Sequence, residues 1–257
     1  MLITYITAGF AVGLLVGMTG VGGGSLMTPL LTLLFGVSPT VAVGTDLAFA
    51  SITKSAGTIT HRFNNTVDWT IVRRLCLGAL PAALVSTLAL RHFGALEAHI
   101  GQVIRYAIAG SVMLTVVALL LRRRMIAWMT AHPGRQLQGR SLTVATVVSG
   151  AILGVLVTVS SIGAGAIGAT LLVFLYPKLS PAEVAGTDIA YAVPLTAIAA
   201  LGHWWLGSID WMLLLTLLVG SLPGITLGAM AARAVPERFL RALLATTLTA
   251  VAAKLVL

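Results

Sequence analysis

The sequence predicts an all-α integral membrane protein built as two inverted-topology repeats, each a glycine-broken helical hairpin followed by three transmembrane helices. Composition, an internal duplication and the placement of basic side chains predict it. Of 257 residues, 58% are hydrophobic and only 9% are charged, and the mean hydropathy is +1.02. No water-exposed surface could be assembled from such a chain. Gly44-Thr45-Asp46-Leu47-Ala48 returns 142 positions later as Gly186-Thr187-Asp188-Ile189-Ala190. The same offset carries Ser38-Pro39 onto Ser180-Pro181, His61 onto His203, Asp68-Trp69 onto Asp210-Trp211, and Pro81 onto Pro223. A duplication within an apolar chain points to two halves around a shared central site.

A bilayer core takes about 20 apolar residues per helix. On that ruler the first half (residues 1–121) gives an apolar stretch over 2–36 and spans near 40–60, 70–90 and 100–121. The second half (141–257) gives 141–177, then 182–203, 210–231 and 238–256. Between them, residues 122–140 begin with Arg122-Arg123-Arg124 and contain His132-Pro133-Gly134, and are read as a basic cytoplasmic linker. The first basic residue is Lys54, so the apolar start lacks the charged region of a cleavable signal peptide and is read as a span.

Each opening stretch is interrupted. Residues 2–18 carry Gly9, Gly13 and Gly17 four apart, then Gly20, Gly22, Gly23, Gly24 and Ser25 precede a short apolar piece ending near Phe35. The second half repeats the form, with Gly150 and Gly154, then Ser160, Ser161, Gly163 and Gly165, then a short piece before Pro177. Glycines spaced by four suit close helix packing. A run of them costs a helix roughly 1 kcal/mol each relative to alanine, so the backbone is expected to open there. If each stretch enters and returns, twelve basic residues face one side and three the other, with Lys54 left within the membrane. A single broken crossing splits them nine to six. The positive-inside rule favours the returning hairpin, which leaves an odd number of net crossings per half and so inverts the halves.

The two breaks offer backbone N–H groups at the start of short helical pieces, where peptide dipoles favour an anion. Gly20, Gly22, Gly23, Gly24, Ser25, Ser160, Ser161, Gly163 and Gly165 are therefore candidate binding residues. Lys54 is the strongest single candidate, since an ammonium near the middle of a span costs about 2.5–3.5 kcal/mol on insertion scales. Its repeat counterpart is Thr196. Asp46 and Asp188 have two readings, a carboxylate that loads and unloads a coupling proton, or a first-turn carboxylate capping its helix with help from Thr45 or Thr187. His61 and His203 lie at span exits, where they either shuttle protons or bond a neighbouring carbonyl or aspartate.

Several classes are not expected. No nucleophile elbow, zinc-protease motif or phosphate-binding loop is present, so the chain reads as no enzyme and needs no cofactor. No His or carboxylate cluster has metal-ligand spacing, and one cysteine, Cys76, excludes an intrachain disulfide. The net charge of +9 sits at span ends, which the membrane accounts for without nucleic acid.

The string Gly44-Thr45-Asp46-Leu47-Ala48-Phe49-Ala50-Ser51-Ile52-Thr53-Lys54, with His61 and Val67-Asp68-Trp69, resembles bacterial members of the sulfite exporter family, TauE/SafE. The duplicated motifs extend the resemblance over essentially the whole chain. It implies a multi-pass transporter of the bacterial inner membrane whose substrate is sulfite, an organosulfonate or another small organic anion. A homo-oligomer and coupling to a proton or another ion are both compatible with it. The expected mechanism is alternating access of a small oxyanion around Lys54 and the glycine breaks, with an anion channel as the alternative.

Overall fold

A computed structural model describes residues 2–19, 24–63, 65–93, 97–131 and 137–231. Among them lie nine helices and no strand: α1 (Leu2–Thr19), α2 (Gly24–Leu34), α3 (Pro39–Phe63), α4 (Trp69–Phe93), α5 (Glu97–Ala131), α6 (Gly139–Ser160), α7 (Ala166–Leu175), α8 (Pro181–Trp205) and α9 (Trp211–Ala231). Five stretches within α4, α5, α6, α8 and α9 are long and apolar enough to cross a membrane. Large apolar side chains such as Leu77, Leu120, Val144 and Met212 point outward from four of these helices, as a lipid-facing surface requires. The expected last span at 238–256 lies outside the described residues.

Element boundaries repeat as the sequence does. Helix α3 begins at Pro39 and α8 at Pro181, while α4 begins at Trp69 and α9 at Trp211, both pairs at the 142-residue offset. The hairpins repeat at 141, because the α7–α8 connection is one residue longer than the α2–α3 connection. Each hairpin closes on itself. Tyr5 and Phe35, at the two ends of the first, stack with ring centroids 4.9 Å apart. Their counterparts Thr146 and Tyr176 join Oγ1 to Oη at 2.7 Å. The two ends of each opening stretch therefore lie side by side.

Contacts between the halves are reciprocal. Helix α1 packs along α9, with a Cβ on Gly9 meeting the Leu217 carbonyl and one on Gly13 meeting Ser221. Helix α6 packs along α4 in the equivalent register, Gly150 against Leu75 and Gly154 against Ala79. Small residues permit this backbone approach where no hydrophobic effect drives helices together. The central pair, α3 and α8, runs antiparallel: Gly44 abuts Ser208, Gly57 lies beside Ile189, and Gly186 abuts Thr66.

Two expectations need correction. Asp46 and Asp188 do not cap their helices, because α3 and α8 begin seven residues earlier, at Pro39 and Pro181. Ser180 caps α8 instead, through a capping box in which its side chain accepts from Glu183 and Glu183 accepts from the Ser180 amide. Helix α5 also runs past Leu121, through Arg122-Arg123-Arg124, to Ala131. An arginine run ends an apolar span but is a good helix former.

The packing generates a paired prediction. Gly78→Ala places its Cβ on the Val147 carbonyl of α6 and should destabilise the protein by about 1–3 kcal/mol. Gly110→Ala meets nothing within 4 Å and should be neutral or slightly stabilising. Detergent melting of both variants checks this; equal midpoints would show that α4 and α6 do not touch here.

Candidate functional site

The three residues of each Gly-Thr-Asp motif point to three different partners. Gly44 and Gly186 bring the helix backbone against the turn of the opposite half. Thr45 Oγ1 accepts the Asp210 amide at 3.1 Å, and Thr187 Oγ1 accepts the Asp68 amide at 3.0 Å. Asp68 Oδ1 in turn accepts the Thr70 and Ile71 amides, and Asp210 Oδ1 accepts that of Leu213. Asp68 and Asp210 thus cap α4 and α9, each held by a threonine from the other half. Asp46 and Asp188 themselves turn inward and are buried.

They turn toward the break between α6 and α7. Ser161 ends α6 in the left-handed region, with φ 58° and ψ 5°. Gly163 and Gly165 follow with φ of 134° and 141°, values that side chains rarely tolerate. Helix α7 then begins at Ala166 without a side-chain cap. Lys54, 6% exposed, donates from Nζ to the Ala164 carbonyl at 2.8 Å. That carbonyl lies in the break rather than in a helical ladder. Both Asp46 and Asp188 lie within electrostatic reach of the ammonium. Thr28 of α2 donates to Asp46 Oδ2 at 2.5 Å. The Ser161 hydroxyl faces the same carboxylate, but no hydrogen bond closes between them, and both Asp46 Oδ1 and Ser161 Oγ are buried without a partner. On α7, Gly168 leaves the space that Asp188 Oδ1 and the Tyr191 hydroxyl occupy.

Of the residues singled out in the sequence, Lys54, Asp46, Asp188, Ser161, Gly163 and Gly165 converge on this break. Ser160 ends α6, its Oγ accepting the Ile162 amide of the break, donating to Leu156 O and reaching Ser111 on α5. His61 closes the α3–α4 turn through Nδ1 and Thr66 Oγ1 at 2.8 Å. His203 is buried, its Nε2 2.9 Å from the Thr158 carbonyl. Gly24 and Ser25 open α2; Gly20, Gly22 and Gly23 lie outside the described residues. The sequence did not single out Thr28 or Tyr191. Thr28 aligns with Ala169 and Tyr191 with Phe49, so duplication gave no signal for either. Among the described residues no group of three His, Cys, Asp or Glu could hold a metal.

A buried cation near the start of a helix has the chemistry to hold a small oxyanion, and the two neighbouring carboxylates offset its charge. Comparisons with known proteins agree with a transport role. The sequence model of a family described as sulfite exporter TauE/SafE matches residues 5–255. The chain is 34% identical over 229 residues to "Probable membrane transporter protein YjnA" of Bacillus subtilis, covering 89% of each chain. It is 29% identical to "Probable membrane transporter protein YdhB" of the same organism, covering 90% of this chain and 91% of the relative. A "Probable membrane transporter protein" of Xylella fastidiosa is also 29% identical, over 90% of this chain and 85% of its own length. No solved structure gives a significant match.

The threonine clasps carry a prediction. Thr45→Val leaves the Asp210 amide without its acceptor, and Thr187→Val does the same to Asp68. Each should cost about 1–3 kcal/mol. Hydrogen exchange at the Asp210 amide should accelerate in the first variant and at Asp68 in the second; unchanged protection would show that the clasps do not join the halves.

Proposed function

The chain belongs to the sulfite exporter TauE/SafE family, a family of multi-pass membrane transporters, and we propose that it exports sulfite across the bacterial inner membrane by alternating access. The observation that carries this reading is the Lys54 ammonium hydrogen-bonded to Ala164 inside the α6–α7 break. It supplies positive charge at the α6–α7 break, where residues 161–165 are buried outside any helix. An incoming oxyanion would exchange the Ala164 carbonyl for itself as the partner of Lys54, and would take further hydrogen bonds from N–H groups at the start of α7.

Alternating access follows from the two-fold arrangement. Two inverted-topology repeats are supported by the antiparallel α3 and α8 and by the reciprocal contacts of their neighbours. The Thr45–Asp210 and Thr187–Asp68 clasps lie at opposite ends of this central pair. In the proposed cycle one clasp releases while the other stays closed, exposing the site to one side at a time. The relatives' names specify a transporter but no substrate, so sulfite comes from the family description alone.

Sulfite flux into proteoliposomes tests the proposal. Wild-type flux should saturate, and Lys54→Ala should reduce it about tenfold or more in protein that elutes normally, as expected where an intramembrane charge meets the substrate. Flux untouched by the substitution would remove Lys54 from the mechanism. Flux that rises linearly without saturation would indicate a channel. Passage of an organosulfonate but not sulfite would keep the carrier and replace its substrate.

A further inference from the structure

We infer that a proton travels with each anion in the same direction, carried on Oδ1 of Asp46 and handed against the Ser161 hydroxyl. The inference rests on the anion-transport reading above and adds to it the coupling ion, its carrier atom and the sense of coupling.

Three observations support it. The first is a charge count. The ionisable groups facing one another across the break are Asp46 and Lys54 on α3 and Asp188 on α8. Tyr191 on α8 stands beyond Asp188, with Cys76 of α4 beyond it. The side chains contributed to Asp46 by α2 and by the break, Thr28 and Ser161, are neutral. With both carboxylates ionised these side chains carry a net negative charge, which an anion would have to enter against. One proton removes that excess. The second is the state of Asp46 itself, which has no exposed surface. Its Oδ2 already accepts from Thr28, whereas Oδ1 has no partner. The third is Ser161, 3% exposed, whose Oγ also lacks a partner and faces the same carboxylate. A hydroxyl rotates, so Ser161 can donate to an ionised Oδ1 or accept from a protonated one. A group that must load and release a proton within a membrane needs such a partner for both states.

The same segment links proton to anion. Ser161 stands at one end of the break, and Ala164, which holds Lys54, stands three residues on. By linkage, the factor by which a proton on Asp46 tightens anion binding is the factor by which the anion tightens proton binding. A metal cation fits the place poorly. The Lys54 ammonium already holds the free Ala164 carbonyl and lies within reach of both carboxylates, so a second cation would meet its charge.

The test uses proteoliposomes of the full chain enclosing a pH-sensitive dye, with the membrane potential clamped by valinomycin and equal potassium. The probes are methanesulfonate, which carries no proton of its own, and sulfite above its second ionisation, where it carries none either. Inward anion gradients should acidify the lumen by about one proton per anion, and a pH gradient acid outside should accelerate entry. In Asp46→Asn the number of protons entering per anion should fall from about one toward zero, whatever the change in anion flux. Anion entry at constant lumen pH would overturn the coupling while leaving the transporter intact. Acidification that persists in Asp46→Asn would overturn the assignment to Asp46. Entry driven by a sodium gradient and not by pH would put sodium in the proton's place. Failure of wild type to carry either probe would fell the anion-transport reading, and the inference with it. Should Asp46→Asn not fold, Thr28→Val serves instead. It removes the hydrogen bond that favours the ionised carboxylate, so half-maximal coupled flux should move to higher pH by about one unit, a tenfold change in proton affinity. An unmoved midpoint would overturn the role of Asp46.

Discussion

An ammonium held inside an apolar bundle is the constraint around which the rest of the molecule is arranged. Lys54 is nearly inaccessible, and insertion of such a group costs about 2.5–3.5 kcal/mol at mid-span. Its compensation is local: the Ala164 carbonyl, and the charges of Asp46 and Asp188. A carbonyl inside a regular helix is already bonded to the amide four residues on. One is free for a lysine only where the ladder stops. Stopping it within a membrane requires a left-handed Ser161 and the positive φ of Gly163 and Gly165. The helices packed around the break then have to keep lipid from its exposed backbone. Glycine break, buried lysine and enclosing bundle are thus consequences of one another.

The duplicated Gly-Thr-Asp motif shows how that enclosure is held. Its glycine brings two backbones together, its threonine binds the capping aspartate of the opposite half, and its aspartate faces the interior. Successive residues on a helix point about 100° apart, so three consecutive positions can address three surroundings. Because each half supplies the threonine that the other half's turn requires, neither turn is complete alone. The dependence couples the folding of the halves. It also places matched hydrogen bonds at the two ends of the α3–α8 pair, a suitable balance for two conformations of similar free energy.

Much of this was legible in the sequence, for definite reasons. Span positions follow from hydropathy, and the observed helices begin or end within a few residues of the expected limits because Pro39, Pro181, Asp68 and Asp210 mark the turns. The α6–α7 break was legible because glycine is the residue type suited to the φ of 134° and 141° at Gly163 and Gly165. Lys54 was legible because a charge in an apolar run is conspicuous. The role of Asp46 was not, because distinguishing a cap from an interior carboxylate depends on where the helix begins. Ser38-Pro39 marks that start seven residues before Asp46, which puts the aspartate beyond the first turn and removes the capping alternative. Thr28 was illegible for another reason. It matters through a partner distant in sequence, Asp46, and a threonine is not unusual in composition.

The comparison of repeats divides the residues by kind. Positions present in both halves, such as Gly9 with Gly150, Thr45 with Thr187 and Asp68 with Asp210, make matched structural contacts. Several residues around the break have unlike counterparts. Lys54 aligns with Thr196, Thr28 with Ala169 and Ser161 with Gly20. Thr196 shows the consequence, since its hydroxyl bonds back to Ala192 of its own helix and reaches nothing across the bundle. In the proposed carrier, equal contacts in the two halves would keep two conformations close in energy. A site for one anion would need a single ammonium, because a second would raise both the cost of burial and the net charge. On that proposal symmetry serves the movement and its violation serves the binding.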